Sequence, residues 1–367
     1  MKDKPSEYKL NMYWLRKRFV NKCNIPKKYS YLLDTPKHVR DSALEDLVGG
    51  FKANMEKKKT NPDHQFEMHY RSKKDCQSIT IPSTAIKLLI NENSPLDPEI
   101  KMFPTFLKNV IKFHVRKRDG TVPLVQYDCK LTIDQLGRFY LCIPQHVPVC
   151  DNQADTKRHD WVALDPGVRT FMTGYSPTPG VCFQLAPKDI NKIYRLCKHL
   201  DVMSSKSSKS NNKCKRSRYK MKKVLVRLRN RIQHLVDEVH WKCINFLVKN
   251  FRNIIIPPFN TSQMVKRGHR RIGSKVARQM LCWRHYTFRR RLIDKVKLLQ
   301  DTRVHVRGEE YTTKSCTNCL KLHHKIGGNK RFNCPHCLIC VDRDVTGSRN
   351  IFMKNISAIE QSMALPR

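Results

Sequence analysis

Two Cys-x2-Cys pairs near the end of the chain, Cys316 with Cys319 and Cys334 with Cys337, stand fourteen residues apart and restrict its folding more than any other feature. A two-residue gap lets both sulfurs of a pair face one point. Two such knuckles close a tetrahedral four-thiolate site around zinc, whose ligand distances of about 2.3 Å demand that convergence. With four thiolates and no open position the ion is structural, stabilising a hairpin too small to fold alone. Cys340, His323, His324 and His336 lie close enough to compete as ligands and are expected to stay outside the set. The segment then runs straight into DRDVTGSRNI, in which Asp342 and Asp344 open a short helical pattern.

The chain that carries this knuckle has 72 Lys+Arg against 31 Asp+Glu, a net charge of +41 over 367 residues. An excess of that size calls for a polyanion, and nucleic acid is the polyanion a cell offers most readily. Hydrophobic residues make up 40% of the sequence and recur with regular spacing, which excludes a merely solvated basic coil. No apolar run reaches the roughly 18 residues of a membrane span, and the opening MKDKPSEYKLNMYW has no apolar stretch resembling a signal peptide. The expected setting is therefore intracellular and reducing. There the scattered Cys23, Cys76, Cys129, Cys197, Cys243 and Cys282 read as small buried hydrophobes, and only the clustered quartet reads as metal ligands.

The length fits two or three domains. Residues 31–58 read as an amphipathic helix with a basic tail, starting at Thr35-Pro36 and carrying Val39, Ala43, Leu44, Leu47, Val48 and Phe51 at helical spacing. From about residue 64 to 150 the pattern shortens to β-like runs: QFEMHYRS, QSITIP, and YDCKLTID with RFYLCIP joined through Gln135-Leu136-Gly137. A small barrel or sheet is expected. WVALDPGVRTF begins a second strand-rich region at 161; a helix follows near 187–201, then the linker SSKSSKSNNKCKRSR. A long helix over 218–250 presents Met221, Leu225, Leu228, Ile232, Leu235, Val239, Cys243 and Leu247 on one stripe. Its other face carries Lys222, Lys223, Arg227, Arg229 and Arg231, which the overall charge marks for phosphate contact. FRNIIIPP reads as a buried strand ended by Pro257-Pro258. Residues 275–299 read as one helix, with Leu281, Phe288, Leu292 and Val296 inward and Arg289, Arg290 and Arg291 as a further nucleic-acid cluster. RVHVRGEEYTT reads as a strand leading into the knuckle.

Asp165 ends an apolar strand just before a Pro-Gly turn, where a buried strand can aim a carboxylate outward. Two-ion phosphodiester cleavage needs several carboxylates converging from separate elements, because ions about 3.5–4 Å apart must be held together. Taken singly, an aspartate at a strand end can simply begin a turn, and Asp342 or Asp344 can simply cap a helix. Their joint presence in so basic a chain points to the chemistry.

Here TPKHVRDSALEDLVGGFKANM, LDPGVRTF, the four-cysteine knuckle and DRDVTGSRNI, in that order, resemble the TnpB (OrfB) proteins of transposons. RQMLCWRHYTFRRRL and the Pro-Pro pair bring the chain closer to their eukaryotic and viral relatives called Fanzor. The resemblance covers most of the chain from about residue 30. It implies an RNA-guided DNA endonuclease with a RuvC-like, RNase H-type nuclease domain. LDPG then supplies Asp165 and DRDVTGSRNI supplies Asp344 as catalytic acids, with Asp342 supporting the site or capping the helix. The family's remaining glutamate falls at Pro257, which cannot bind a metal, and the resemblance offers Glu310, and second Glu309, as its substitute from a strand expected to lie beside the first.

The fold class expected is multidomain α/β: a RuvC-like domain with an inserted zinc knuckle, preceded by a helical segment and a small β-barrel-like domain. The boundaries drawn are 1–62 for a shortened helical recognition segment, 63–155 for a strand-rich wedge-like domain, 156–310 for the main nuclease part, 311–341 for the knuckle and 342–367 for the last helix. One structural Zn2+ and two catalytic Mg2+ are implied, with guide RNA and target DNA as partners and no membrane. The alternative is an inactive or truncated relative that binds RNA or DNA; Pro257 and the short N-terminal region favour it. Nothing resembles the His-hydrophobe-His and Tyr arrangement of a strand-joining transposase. DNA targeting, with KCKRSRYKMKK as a possible import signal, points to the nucleus or a viral replication site.

Overall fold

The computed structural model describes residues 11–69, 76–89, 99–107, 109, 111–112, 124–150, 158–178, 180–208, 214–266, 268, 270, 272–324 and 329–364. The chain divides into two compact units, Met1–His146 and Val147–Arg367. Among the described residues no helix is long and apolar enough to cross a membrane.

In the first unit, helices α1 (Met12–Phe19) and α2 (Lys37–Thr60) are tied by Arg16, which reaches Asp41 at 2.6 Å and Glu45 at 2.7 Å. The apolar stripe expected of α2 is only partly covered: Val48 is buried, whereas Leu47 is exposed. Strands β1 (Gln77–Ile81), β2 (Ile86–Leu89), β3 (Glu99–Met102), β4 (Ile111–Lys112), β5 (Cys129–Ile133) and β6 (Phe139–Cys142) form two antiparallel three-stranded sheets, ordered β1-β5-β6 and β2-β3-β4. They share a core of Ile81, Ile86, Ile100, Met102, Phe103 and Cys129. The expected β5–β6 hairpin forms. Asp134 Oδ1 accepts from the N–H groups of Leu136 and Arg138, and Gly137 takes the left-handed φ of +80° that the turn requires. The strand expected over QFEMHYRS is absent at 65–69, and its remainder lies outside the described residues.

The second unit is built on a five-stranded sheet of β7 (His159–Pro166), β8 (Thr170–Ser176), β9 (Val181–Pro187), β10 (Phe251–Ile256) and β11 (Arg303–Val306), ordered β11-β10-β7-β8-β9. β7, β8 and β9 pair antiparallel; β10 joins β7 in parallel and β11 joins β10 in parallel. Helices α3 (Asp189–Ser208) and α4 (Lys215–Asn250) precede β10, the former extending into the start of the expected linker and the latter beginning within its end. Between β10 and β11 come α5 (Thr261–Met264), α6 (Ser274–Trp283) and α7 (His285–Val296). The ribbon strands β12 (Arg331–Asn333) and β13 (Cys340–Asp342) then lead into α8 (Arg343–Ala364).

Strand alternation sorts the sheet's two faces. Val162 and Leu164 of β7, with Ile254 and Ile256 of β10, meet Ile244 and Leu247 of α4, Trp283 of α6 and Phe288 and Leu292 of α7. Ala163 and Ile255 point the other way, onto Ile351 and Ile359 of α8. The strand carrying Asp165 is thus central and buried on both sides, while β11 lies one strand away from it. That corrects the expectation that β11 would adjoin β7: the parallel run Ile254-Ile255-Ile256 takes that place.

The single helix expected over 275–299 is two, broken at Arg284, whose φ is +51°. The break lets its neighbours on either side turn inward together. Trp283 Nε1 donates to Val168 O at 2.8 Å and His285 Nε2 lies 3.2 Å from Gly167 O, so both hold the turn that follows Asp165. Their rings enclose Phe171, which stacks on His285 with centroids 5.1 Å apart and meets Trp283 at 4.8 Å. Leu281, expected inward, faces outward at 53% exposure because the register follows Trp283. Replacing Trp283 by Phe removes the donor to Val168 and part of a fully buried volume. A loss of roughly 1.5–3 kcal/mol is expected in urea unfolding of the second unit; an unchanged midpoint would contradict this account of the break.

Candidate functional site

The four cysteines converge. Cys316 and Cys337 sulfurs are 3.5 Å apart, those of Cys319 and Cys334 are 3.6 Å apart, and all four ligand atoms lie within 4.8 Å of one another. Sulfurs bound tetrahedrally at about 2.3 Å would be about 3.8 Å apart, so the cluster fits one structural zinc. The knuckles repeat one backbone design. Cys316 N–H donates to Lys321 O and Leu320 N–H to Cys316 O, and Cys334 and Leu338 do the same with Ile339 O and Cys334 O. Leu320 and Leu338 accept positive φ, +58° and +59°, to make these turns. The Ile339 N–H, with smaller help from Asn318 and the neighbouring thiols, lowers the Cys337 thiol to about 6, favouring the thiolate a metal needs. Cys340, His323, His324 and His336 stay outside the cluster. Purified protein is expected to carry one zinc per chain by atomic emission, and Cys334→Ser to lose it together with protease resistance over 311–341; retained zinc would contradict a four-thiolate site.

A second cluster forms where α8 crosses β7. Asp165 lies on the α8 face of the sheet, by the alternation that puts Ala163 there. Asp344 is in the first turn of α8, and one turn later Gly347 faces Asp165 so closely that a Cβ there would meet the Asp165 carboxylate. Asp342 caps the helix, its Oδ1 accepting from Asp344 N–H at 2.9 Å, and also pairs with Lys330 at 3.4 Å. The register that sets Ile255 opposite Ala163 carries the buried Pro257 opposite Asp165.

Beyond β11 the chain turns, with Arg307 N–H donating to Ile256 O, and the two glutamates part. Glu309 is half-buried and faces Asp165 closely enough to raise its pKa. Glu310 points to solvent and pairs with Lys354 at 2.6 Å, which lowers its pKa. The turn is fixed from α8: Asn350 Nδ2 donates to Thr312 O at 2.7 Å and Ser315 O at 2.8 Å, and Asn355 Nδ2 to Gly308 O at 3.1 Å.

The acids resist ionisation together. Burial, then the charges of Asp344 and Glu309, hold the Asp165 carboxyl well above the usual range, with Arg343 opposing. Burial and Asp342 raise Asp344, against Arg343, Lys330 and Arg169. Burial, then Glu310, raises Glu309. Asp165 is the most enclosed of the three. Repulsion of this kind is what a bound divalent cation relieves, so the set is chemically suited to one. Among the described residues only the cysteines bring three or more ligand atoms within 4.8 Å of one another; the carboxylates are neighbours in a looser arrangement.

Of the basic residues singled out for nucleic acid, Lys222 and Arg227 are exposed on α4, and Lys223 covers the Tyr219 ring at 4.7 Å. The 289–291 trio is divided. Arg289 donates to Pro258 O, and Arg291 binds Asp237 at 2.7 Å and lies 3.2 Å from His240 Nδ1, leaving Arg290 as the exposed member. Residues not singled out also shape the site. Gly347 was detectable as a glycine inside a helix, where it costs about 1 kcal/mol relative to alanine. Asn350, Asn355, Arg169 and Lys330 carried no comparable signal.

A mixed sheet bearing clustered acids, joined through a four-cysteine ribbon to its last helix, defines an α/β protein with a cysteine cluster suited to zinc. Residues 285–351 match the family model "Cas12f1-like, TNB domain". A candidate transposase of Paramecium bursaria Chlorella virus 1 is 28% identical over 338 residues, 90% of this chain and 72% of that protein. Two TnpB-like proteins of Acanthamoeba polyphaga mimivirus are each 24% identical over 241 residues, 64% of this chain and 45% of theirs. The chain is thus similar to TnpB-like and Cas12f-like proteins, and these transposase and TnpB-like relatives are viral. It spans less than half the length of those mimivirus relatives. Two solved structures, a Cas12f1–sgRNA–target DNA complex and a CRISPR–Cas12f ternary complex, align at 12% and 14% identity with TM-scores of 0.38 and 0.39. These alignments cover 93% of this chain and 89% and 77% of those chains.

Gly347→Ala is expected to push Asp165 and α8 apart, lowering stability by roughly 1–3 kcal/mol despite alanine's better helix propensity. A stabilised variant in thermal unfolding would mean that helix and strand do not approach as described.

Proposed function

We propose that this protein is an RNA-guided DNA endonuclease of transposon origin, and that Asp165, Asp344 and Glu309 hold its divalent metal. The observation that carries the reading is the packing of α8 onto β7, which brings Asp344 and the Gly347 backbone against Asp165 while Glu309 charges the same pocket. It favours Glu309 over Glu310, since Glu310 is committed outward to Lys354. The unit is then a RuvC-like, RNase H-type nuclease domain with an inserted zinc ribbon. The domain boundaries proposed are those drawn from the sequence.

Two Mg2+ at such a site would activate water for in-line attack and stabilise the leaving oxygen. The protein's own contribution is positional. The double-sided core fixes Asp165, the Asp342 cap fixes the start of α8, and Asn350 and Asn355 fix the turn bearing Glu309. Arg169, Lys330 and Arg343, which already temper the Asp344 charge, form a cationic rim suited to a phosphate. Guide RNA and target DNA are the proposed partners, held by backbone contacts to Lys222, Arg227 and Arg290 while base pairing supplies sequence choice. The tied Lys223, Arg289 and Arg291 would contribute less. Action in the nucleus or at a viral replication site belongs to the same reading.

A second reading, a catalytically inactive RNA- or DNA-binding relative, has one observation in its favour: Pro257 stands opposite Asp165 where a metal-binding acid would be best placed. Cleavage separates the two. With co-purified RNA and Mg2+, the protein is expected to cut DNA matching that RNA. Asp165→Ala, Asp344→Ala and Glu309→Gln should each lower the rate at least about a hundredfold, and Glu310→Gln should leave it within about threefold. Equal cutting by wild type and Asp344→Ala, or none by either, would support the binding reading.

The raised acids also set a pH signature. Acids that hold protons more tightly when folded stabilise the fold at low pH and lose that contribution as pH rises from the usual carboxylate range near about 4 through their raised values. Chelator-treated protein should therefore lose a stabilising contribution over that rise. Added Mg2+ should restore it, raising the thermal midpoint more at alkaline than at acid pH, and Asp165→Asn should remove the difference. A midpoint shift independent of pH would argue against ions bound at these acids.

A further inference from the structure

Cys197 and Cys282 stand apart from the zinc ligands and from the acids, yet their sulfurs approach to 3.3 Å across the α3–α6 contact. Both were expected to be inert buried hydrophobes; Cys197 is buried, at 3% exposure, and Cys282 is half-buried. Among the described residues no third metal-ligating group joins them, so the pair is not arranged to hold an ion. A groove of about 300 Å³ opens over it, lined by Arg229, Arg278 and Arg284 as well as both cysteines. Arg278 also donates to Asp201 at 2.8 Å, which keeps its guanidinium beside the pair. The Cys282 thiol, then Arg278, lowers the Cys197 thiol to about 7, against the effects of burial and Asp201; the shared proton and burial push Cys282 upward. Cationic surroundings with an adjacent second thiol are the environment of an attacking cysteine and its resolving partner.

We propose that Cys197 and Cys282 form a hydroperoxide-sensitive dithiol site, closing to a disulfide that staples α3 to α6. The Cys197 thiolate attacks the terminal oxygen of the hydroperoxide; the S–O bond forms as the O–O bond breaks, and the departing oxygen takes a proton to leave as water or an alcohol. The Cys282 sulfur then attacks the Cys197 sulfenic acid. The S–S bond forms, the S–O bond breaks, and the hydroxide leaves as water with the Cys282 proton. The hydroperoxide is reduced by the two electrons the thiols give up. Closure brings the sulfurs from 3.3 Å to about 2.05 Å. Cys282 directly precedes Trp283, so the staple would anchor the helix break that holds the turn after Asp165.

The test uses the full-length, zinc-loaded protein. It is treated at neutral pH with equimolar hydrogen peroxide, alkylated with iodoacetamide, digested without reduction and mapped by mass spectrometry. A peptide joining Cys197 to Cys282 is expected as the dominant disulfide, at least about tenfold above any other pairing, reversible by dithiothreitol and formed without release of zinc. In Cys282→Ser, dimedone should instead trap Cys197 as its sulfenic acid. The proposal is overturned if both residues remain fully alkylated after peroxide, if other cysteine pairs predominate, or if Cys197 proceeds to sulfinic acid uncrosslinked. Where Cys282→Ser does not fold, the wild-type peptide map decides alone.

Discussion

Contact between the Asp165 carboxylate and the backbone of α8 at Gly347 is the constraint around which the second unit is arranged. An acid enclosed beside two other acids is unfavourable, since desolvation and like charge both oppose its ionised form. The sheet imposes it through packing. Val162 and Leu164 are fixed on one face and Ala163, with Ile255, on the other, each buried aliphatic side chain contributing on the order of 1.5–3 kcal/mol. Two faces buried at once leave the strand no freedom to turn Asp165 away: a slip of one residue would exchange the faces and bury the carboxylate in the apolar core.

The same constraint explains why a metal ribbon stands between the Glu309 turn and α8. Both ends of the ribbon must arrive at fixed places, one against Asn350 of α8 and one at the head of that helix. A thiolate cluster fixes its own short hairpin without needing a large core. Continuity is maintained by hydrogen bonds: Arg343 N–H to Lys330 O joins ribbon to helix, and Asn350 joins the helix back to the segment entering the ribbon. The cysteine cluster and the turn bearing Glu309 are thus both tied to α8 although they share no side chain.

Much of this was legible in the sequence where spacing or alternation encodes it. The cysteine pairs, the strands bearing Asp165 and Ile254-Ile255-Ile256, the hairpin through Gly137 and the stripe on α4 were readable because each repeats a local rule. What could not be read depends on long-range packing. Glu309 and Glu310 are chemically identical neighbours, and only Lys354, arriving from α8, draws the second outward. The break at Arg284 has neither proline nor glycine to mark it; it follows from Trp283 and His285 closing on Phe171, a residue more than a hundred positions earlier. Arg289 and Arg291 resemble free cations in sequence, yet their partners Pro258 and Asp237 come from other elements.

Pro257 then takes on a structural meaning beyond a missing ligand. It is buried, follows the last residue of β10 and, lacking an N–H, helps end that strand's pairing. A side chain that can neither ionise nor donate there leaves the acids to come from other elements. With β10 ended, the chain leaving β11 can fold over the strand terminus, and that path brings Glu309 toward Asp165 from the next strand but one. On the proposed reading, the residue that removes one acid from the sheet also opens the route by which another reaches the pocket.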